Sequence, residues 1–186
     1  MTRIFRWIIN LFSIYPGTDF KQVRGSHISP PMVDCPNVGT FDGAAQKGIC
    51  GGGGTLSLSG GRCFLFKVGL GRGTNSRAEL LSIWALLWLS GNKDCRELYI
   101  FGDSKAIIDW VNGRSTIKIL ALIQWYQKIC EFKRFYDKSS LQHIYRKYNN
   151  KADLLSKEAL LLGDGILMLK EEGDDAEHTW QQCSIY

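Results

Sequence analysis

The period of the apolar positions changes several times along this chain, and each change marks an element. From Gly39 onward three short runs of apolar and β-branched residues follow one another, Thr40 to Ala45, Ile49 to Leu58 and Arg62 to Gly69, with turn residues between them. This predicts an antiparallel meander of three strands. The middle run holds Gly51 to Gly54. A phosphate-binding loop would need a G-K-[ST] ending, which is missing, so the glycines are read as a strand approached closely by another backbone. The period then becomes helical. Thr74-Asn75-Ser76-Arg77-Ala78-Glu79 opens a helix carrying Leu80, Leu81, Ile83, Trp84, Leu86, Leu87, Trp88 and Leu89, apolar around most of its circumference and therefore buried. Ser76 and Glu79 have the spacing of a capping box, which accounts for both in purely structural terms.

Glu97 to Phe101 reads as a short apolar strand ending at Gly102-Asp103-Ser104, and Lys105 to Val111 as the helix after it. A strand-turn-helix crossover of this kind implies a parallel neighbour. Asp103 or Ser104 can serve there as a plain N-cap. Thr116 to Tyr136 predicts a longer amphipathic helix with Lys118, Lys128, Lys133 and Arg134 on its surface. Leu141 to Tyr145 alternates like a last strand, with His143 inside it, and Asn149 to Leu162 is a helix stopped by Gly163. Residues 16–37, with all four prolines, read as a connector. The organisation expected is an N-terminal extension and linker over 1–37, one folded domain over 38–162, and a polar, acidic, disordered tail over 163–186.

Charge and cysteine usage narrow the partners. The formal charge is +5, but residues 163–186 hold six acids and one lysine, so the rest carries +10 and points to a polyanionic partner. Six scattered cysteines, with no C-x-x-C pair and no histidine at zinc-finger spacing, indicate neither a disulfide framework nor a zinc site. A reducing, intracellular setting follows, nucleus or cytoplasm. No apolar run reaches the length of a membrane span, so no membrane partner is expected. The opening MTRIFRWIINLFSIY is apolar with two arginines and no acid, as in an organelle-targeting peptide, although it lacks an A-x-A cleavage site; an amphipathic packing segment is the alternative.

The chemistry lies in four acids: Asp42 inside the first apolar strand, Glu79 in the first turn of the first helix, Asp103 at the end of the fourth strand, and Asp153 near the start of the last helix. Taken alone, Asp42-Gly43 is equally a hairpin turn. Together, TFDGA, TNSRAEL, IFGDSKAIIDWV and HIYRKYNNKADLLSKEAL, in this order over residues 38–162, resemble the ribonuclease H family. The resemblance is greatest to the ribonuclease H-like domains found with reverse transcriptases in plant non-LTR retroelements, in which a Pro-Pro segment similar to Pro30-Pro31 precedes the Asp-Gly strand.

The resemblance implies an α/β fold with a mixed sheet of about five strands, three antiparallel and then parallel, and helices on both faces. It implies that Asp42, Glu79, Asp103 and Asp153 converge as catalytic, metal-binding residues. Close carboxylate pairs repel by roughly 1 to 4 kcal/mol in a wet site, and all-oxygen ligands suit Mg2+ or Mn2+. Two such ions about 3.5 to 4 Å apart support in-line hydrolysis of a phosphodiester. The substrate implied is the RNA strand of an RNA/DNA hybrid, with Gly43, Lys47 and Asn75 as nucleic-acid contacts, His143 as an auxiliary residue, and a reverse transcriptase domain as partner to a monomer. The short turn after Asp42 and the absence of a basic protrusion depart from the family pattern and imply weaker hybrid affinity. A binding remnant of the same fold that no longer cleaves is the alternative.

Overall fold

The computed structural model describes residues 37–172 and 180–185. The linker and targeting expectations for 1–36 fall outside them. The elements are β1 (Val38–Gln46), β2 (Ile49–Ser57), β3 (Cys63–Arg72), α1 (Asn75–Gly91), β4 (Glu97–Gly102), α2 (Lys105–Val111), α3 (Leu120–Lys133), β5 (Lys138–His143), α4 (Asn150–Glu158), β6 (Ile166–Glu172) and β7 (Gln181–Ser184). They form one mixed sheet in the order β5-β4-β1-β2-β3-β6-β7. The pairs β1/β4 and β4/β5 are parallel and the remaining pairs antiparallel.

The sheet has seven strands rather than the five expected, and the difference lies in the tail. Residues 163–186 were expected to be disordered because their composition is acidic. Instead Ile166 to Glu172 pairs with β3, and Leu167 is completely buried beside it. A four-residue apolar run, Ile166-Leu167-Met168-Leu169, is enough to add an edge when β3 offers unpaired backbone groups. Arg62 and Glu171, with nitrogen and oxygen 2.6 Å apart, fasten that edge.

Helix α1 lies on one face against β1 and β2, with α2 and α3 beside it. Trp84 of α1 meets Trp125 and Phe132 of α3 edge-on, with ring centroids 5.6 and 6.4 Å apart. Phe41, Leu56, Phe64 and Phe66 from the sheet fill the space beneath α1, each worth about 1.5 to 3 kcal/mol by burial. Helix α3 begins at Leu120, four residues later than expected, since Ile119 is extended and supplies no capping side chain. The cap of α1 is Thr74, whose hydroxyl accepts from the Arg77 N–H, rather than Ser76.

The glycines of β2 set how closely the helices approach. A Cβ on Gly51 or Gly53 would lie 2.5 Å from the Ser156 carbonyl oxygen or 2.4 Å from the Ser156 nitrogen, both on α4. A Cβ on Gly52 would lie 2.4 Å from Ser82 Oγ on α1. The strand is thus bare on both sides, and α4 rests on backbone opposite α1. The close-approach reading of the glycine run is the one the fold realises.

Candidate metal centre

Strands β1 and β4 run side by side from Val38/Tyr99 to Thr40/Phe101, and the acids Asp42 and Asp103 each stand two residues farther on. Both lie just beyond the stretch over which the two strands pair, Asp103 past the end of β4 and Asp42 in the middle of β1, which runs on beside β2 to Gln46. Gly102 permits this ending, since a Cβ there would sit 2.4 Å from the Phe41 ring. Glu79 arrives from above on α1. Gly43 makes its approach possible: a Cβ at Gly43 would lie 2.1 Å from the Glu79 nitrogen. The Gly43 N–H donates to the Glu79 carboxylate.

Asp42, Glu79 and Asp103 each place one carboxylate oxygen so that all three lie within 4.8 Å of one another. Asp42 and Glu79 are buried, at 3% and 5% exposure. Burial, opposed by the Ser156 hydrogen bond and reinforced by the charge of Asp103, pushes the Asp42 carboxyl up to about 6. Burial and then the charges of Asp42 and Asp103 push Glu79 up to about 9, against the Gly43 N–H. Glu79 Oε2 is buried with no hydrogen-bond partner among the described residues. An all-oxygen cluster with an orphaned carboxylate oxygen is a donor set suited to a hard divalent cation, which would relieve both the repulsion and the missing bond.

Asp153 does not join the three. Its carboxylate is held by Lys157 at 2.5 Å and by Arg146 at 3.1 Å. Burial works against its ionisation, but Lys157 and Arg146 outweigh burial and hold the carboxyl below its ordinary range. Arg146 also stands 3.7 Å from Asp103, so its guanidinium spans two of the four acids. Asn149 sends its side-chain amide to the Phe41 carbonyl at 2.9 Å and to Asp103 Oδ1 at 3.1 Å.

Ser156 is the residue that sequence reasoning missed. Its fully buried hydroxyl donates to Asp42 Oδ2 at 2.6 Å and lies 2.9 Å from the Asp153 carbonyl oxygen. The sequence did carry a clue, because Ser156 follows Asp153 by three residues on a helix and so shares its face. The remaining expected residues sit at the periphery. Lys47 is exposed in the β1–β2 turn with φ of 52°. Asn75 is exposed as the first residue of α1. His143 ends β5 opposite Gly102, exposed, with its ring 6.1 Å from that of Tyr145. Among the described residues none of these three bonds to a site carboxylate.

The five described cysteines are free, and no described helix is long and apolar enough to cross a membrane. The pattern of the reverse transcriptase-like family matches residues 40–159. No curated protein matches the chain. Among solved structures, ribonuclease H1 from the halophilic archaeon Halobacterium salinarum NRC-1 is 25% identical with a TM-score of 0.63, over 67% of this chain and 96% of that one. The N-terminal ribonuclease H domain of Rv2228c from Mycobacterium tuberculosis has 23% identity and a TM-score of 0.61, over 67% and 92%. LC11 ribonuclease H1, solved in complex with RNA/DNA hybrid, has 23% identity and a TM-score of 0.59, over 67% and 96%. With a matched pattern that spans all four acids and a sheet of this order, the chain belongs to the ribonuclease H family, in its reverse transcriptase-like division.

Proposed function

We propose that the protein hydrolyses the RNA strand of RNA/DNA hybrids at a divalent metal centre. The observation that carries this reading is the convergence of Asp42, Glu79 and Asp103, two of them buried, with one carboxylate oxygen unpartnered. Asp42, Glu79 and Asp103 would hold Mg2+ or Mn2+, with Asp153 at the margin. Such ions supply an activated water and charge neutralisation at the phosphodiester.

The chain's own residues prepare the site. Ser156 fixes one oxygen of Asp42, which leaves the other to face the cluster. Asn149 ties Asp103 to the β1 backbone, so that the acids of two strands are held in one frame. Gly43 orients Glu79 through its N–H. Arg146 neutralises Asp103 and Asp153 from the solvent side. Glu79, Asn75 and the Gly43 backbone are the candidates for reading a ribose 2′-hydroxyl, the group that separates RNA from DNA. Lys47 is a candidate phosphate contact. The hybrid-bound relative LC11 supports this substrate class, and a reverse transcriptase domain is the proposed partner.

The test is hydrolysis of a hybrid labelled in its RNA strand, with Mg2+ or Mn2+, beside single- and double-stranded RNA. Cleavage of the hybrid that Asp103→Asn abolishes is expected. Purified protein that cuts nothing, or an Asp103→Asn variant as active as the parent, refutes the proposal. A non-cleaving remnant would be recognised by an absent heat of Mg2+ binding in calorimetry.

A further inference from the structure

Between β5 and α4 the chain reads His143-Ile144-Tyr145-Arg146-Lys147-Tyr148-Asn149-Asn150-Lys151, with three cations and no acid. Both flanks of this segment are pinned to the metal centre. The buried Ile144 gives its N–H to the Gly102 carbonyl at 2.9 Å, next to Asp103, and the buried Asn149 reaches the Phe41 carbonyl, next to Asp42. Between the pins Arg146 to Tyr148 makes a 3-10 turn with no buried residue. Tyr145 is 53% and Tyr148 39% exposed, and they are the aromatic members among the exposed large hydrophobic side chains of the described residues. Tyr145 meets the His143 ring edge-on, with centroids 6.1 Å apart, and still leaves about half of its surface to solvent.

The cations of the segment divide by partner. Arg146 is engaged by Asp103 and Asp153, and Lys151 by Glu172 at 2.7 Å. Lys147 pairs with no carboxylate among the described residues and lies 4.8 Å from the centre of the Tyr148 ring. A cation and two aromatic faces are therefore held at the rim of a cluster of acids that would itself repel phosphate. Bases inside a duplex already stack on each other and offer no free face, whereas unpaired bases do.

We propose that Tyr145, Lys147 and Tyr148 form a stacking platform for unpaired bases, so that the protein prefers a hybrid that continues into single-stranded RNA over a blunt one. The platform rests on the hybrid reading for the duplex it adjoins. The strand leaving that duplex passes over the two rings, and Lys147 meets its backbone.

Fluorescence anisotropy on the full chain tests this with Ca2+ present, so that binding is read without cleavage. The probes are a blunt hybrid, hybrids with an RNA tail at either end, and the same tails made abasic. The expected result is binding of one tailed hybrid at least about fivefold tighter than the blunt one. The paired change Tyr145→Ala and Tyr148→Ala removes the preference with blunt-hybrid affinity within about twofold, and the paired change to Phe keeps it. Equal affinities for blunt and tailed hybrids overturn the proposal. So does a preference unchanged in the alanine pair, or an abasic tail that binds as well as a natural one, which would show that charge alone acts. If the alanine pair fails to fold, the abasic comparison on the unaltered protein still decides. A chain that binds tails preferentially but cuts nothing would sink the nuclease reading and leave the platform standing.

Discussion

Ser156→Ala is the most informative single change, because it removes one hydroxyl and leaves every site carboxylate in place. The hydroxyl is fully buried and donates to Asp42 at 2.6 Å. A hydrogen bond to a charged group contributes about 1.5 to 3 kcal/mol, and 1.36 kcal/mol corresponds to one pH unit. The bond favours the ionised carboxylate, so its loss raises the pH at which Asp42, already up to about 6, gives up its proton. The midpoint should move upward by about one to two pH units. Protons and the metal compete for the same carboxylate, so at pH 6 the Mg2+ concentration for half-maximal cleavage should rise about five- to fiftyfold. The gap should narrow as pH increases and Asp42 ionises in both proteins. The assay is hybrid cleavage over a grid of Mg2+ and pH, with melting curves to confirm folding. An Mg2+ midpoint unchanged at pH 6 refutes the assignment, and a penalty equal at every pH shows that Ser156 acts by packing alone.

Glu79→Gln should separate stability from metal binding. The folded carboxyl titrates near 9, above its ordinary 4.5, so the metal-free protein binds this proton on folding. Its contribution to stability is complete below about 4.5 and is lost as pH rises toward 9, with a ceiling of about 4 kcal/mol between pH 5.5 and 8.5. In EDTA the parent should melt lower at pH 8.5 than at 5.5, while the glutamine variant melts higher than the parent at 8.5 and gains little from Mg2+; equal slopes in both proteins would contradict this. Leu167→Ala tests whether the C-terminal strands belong to the core, since Leu167 is fully buried. Urea unfolding should show a loss of about 2 to 5 kcal/mol, and a loss below about 0.5 kcal/mol would show that β6 contributes nothing to the folded state.

Element types were legible wherever the period was long and unmixed. The all-round apolar helix from Asn75 and the strand-turn-helix at Asp103 have the expected form, whereas the strand expected over Leu141 to Tyr145 runs instead from Lys138 to His143. The tail reads as disordered because its acids dominate the average, while pairing with β3 needs only a short apolar run at the right register. The acids could be recognised as a set, but composition could not show that Asp153 is taken up by Lys157 and Arg146, since both cations look like ordinary surface charges. Ser156 stayed hidden for a related reason. A serine on an amphipathic helix is unremarked until the facing strand is known to carry no side chains.

That strand gives the molecule a gauge. With Gly51 to Gly54 in β2, the separation between the helix bearing Glu79 and the helix bearing Ser156 is the thickness of one bare polypeptide. Methyl groups added at alternate positions along it would push opposite walls of the crevice outward, one at Gly52 lifting α1 and one at Gly53 lifting α4. The aperture offered to an ion is therefore written in the atoms this strand lacks, and any side chain introduced there would widen it from one known side.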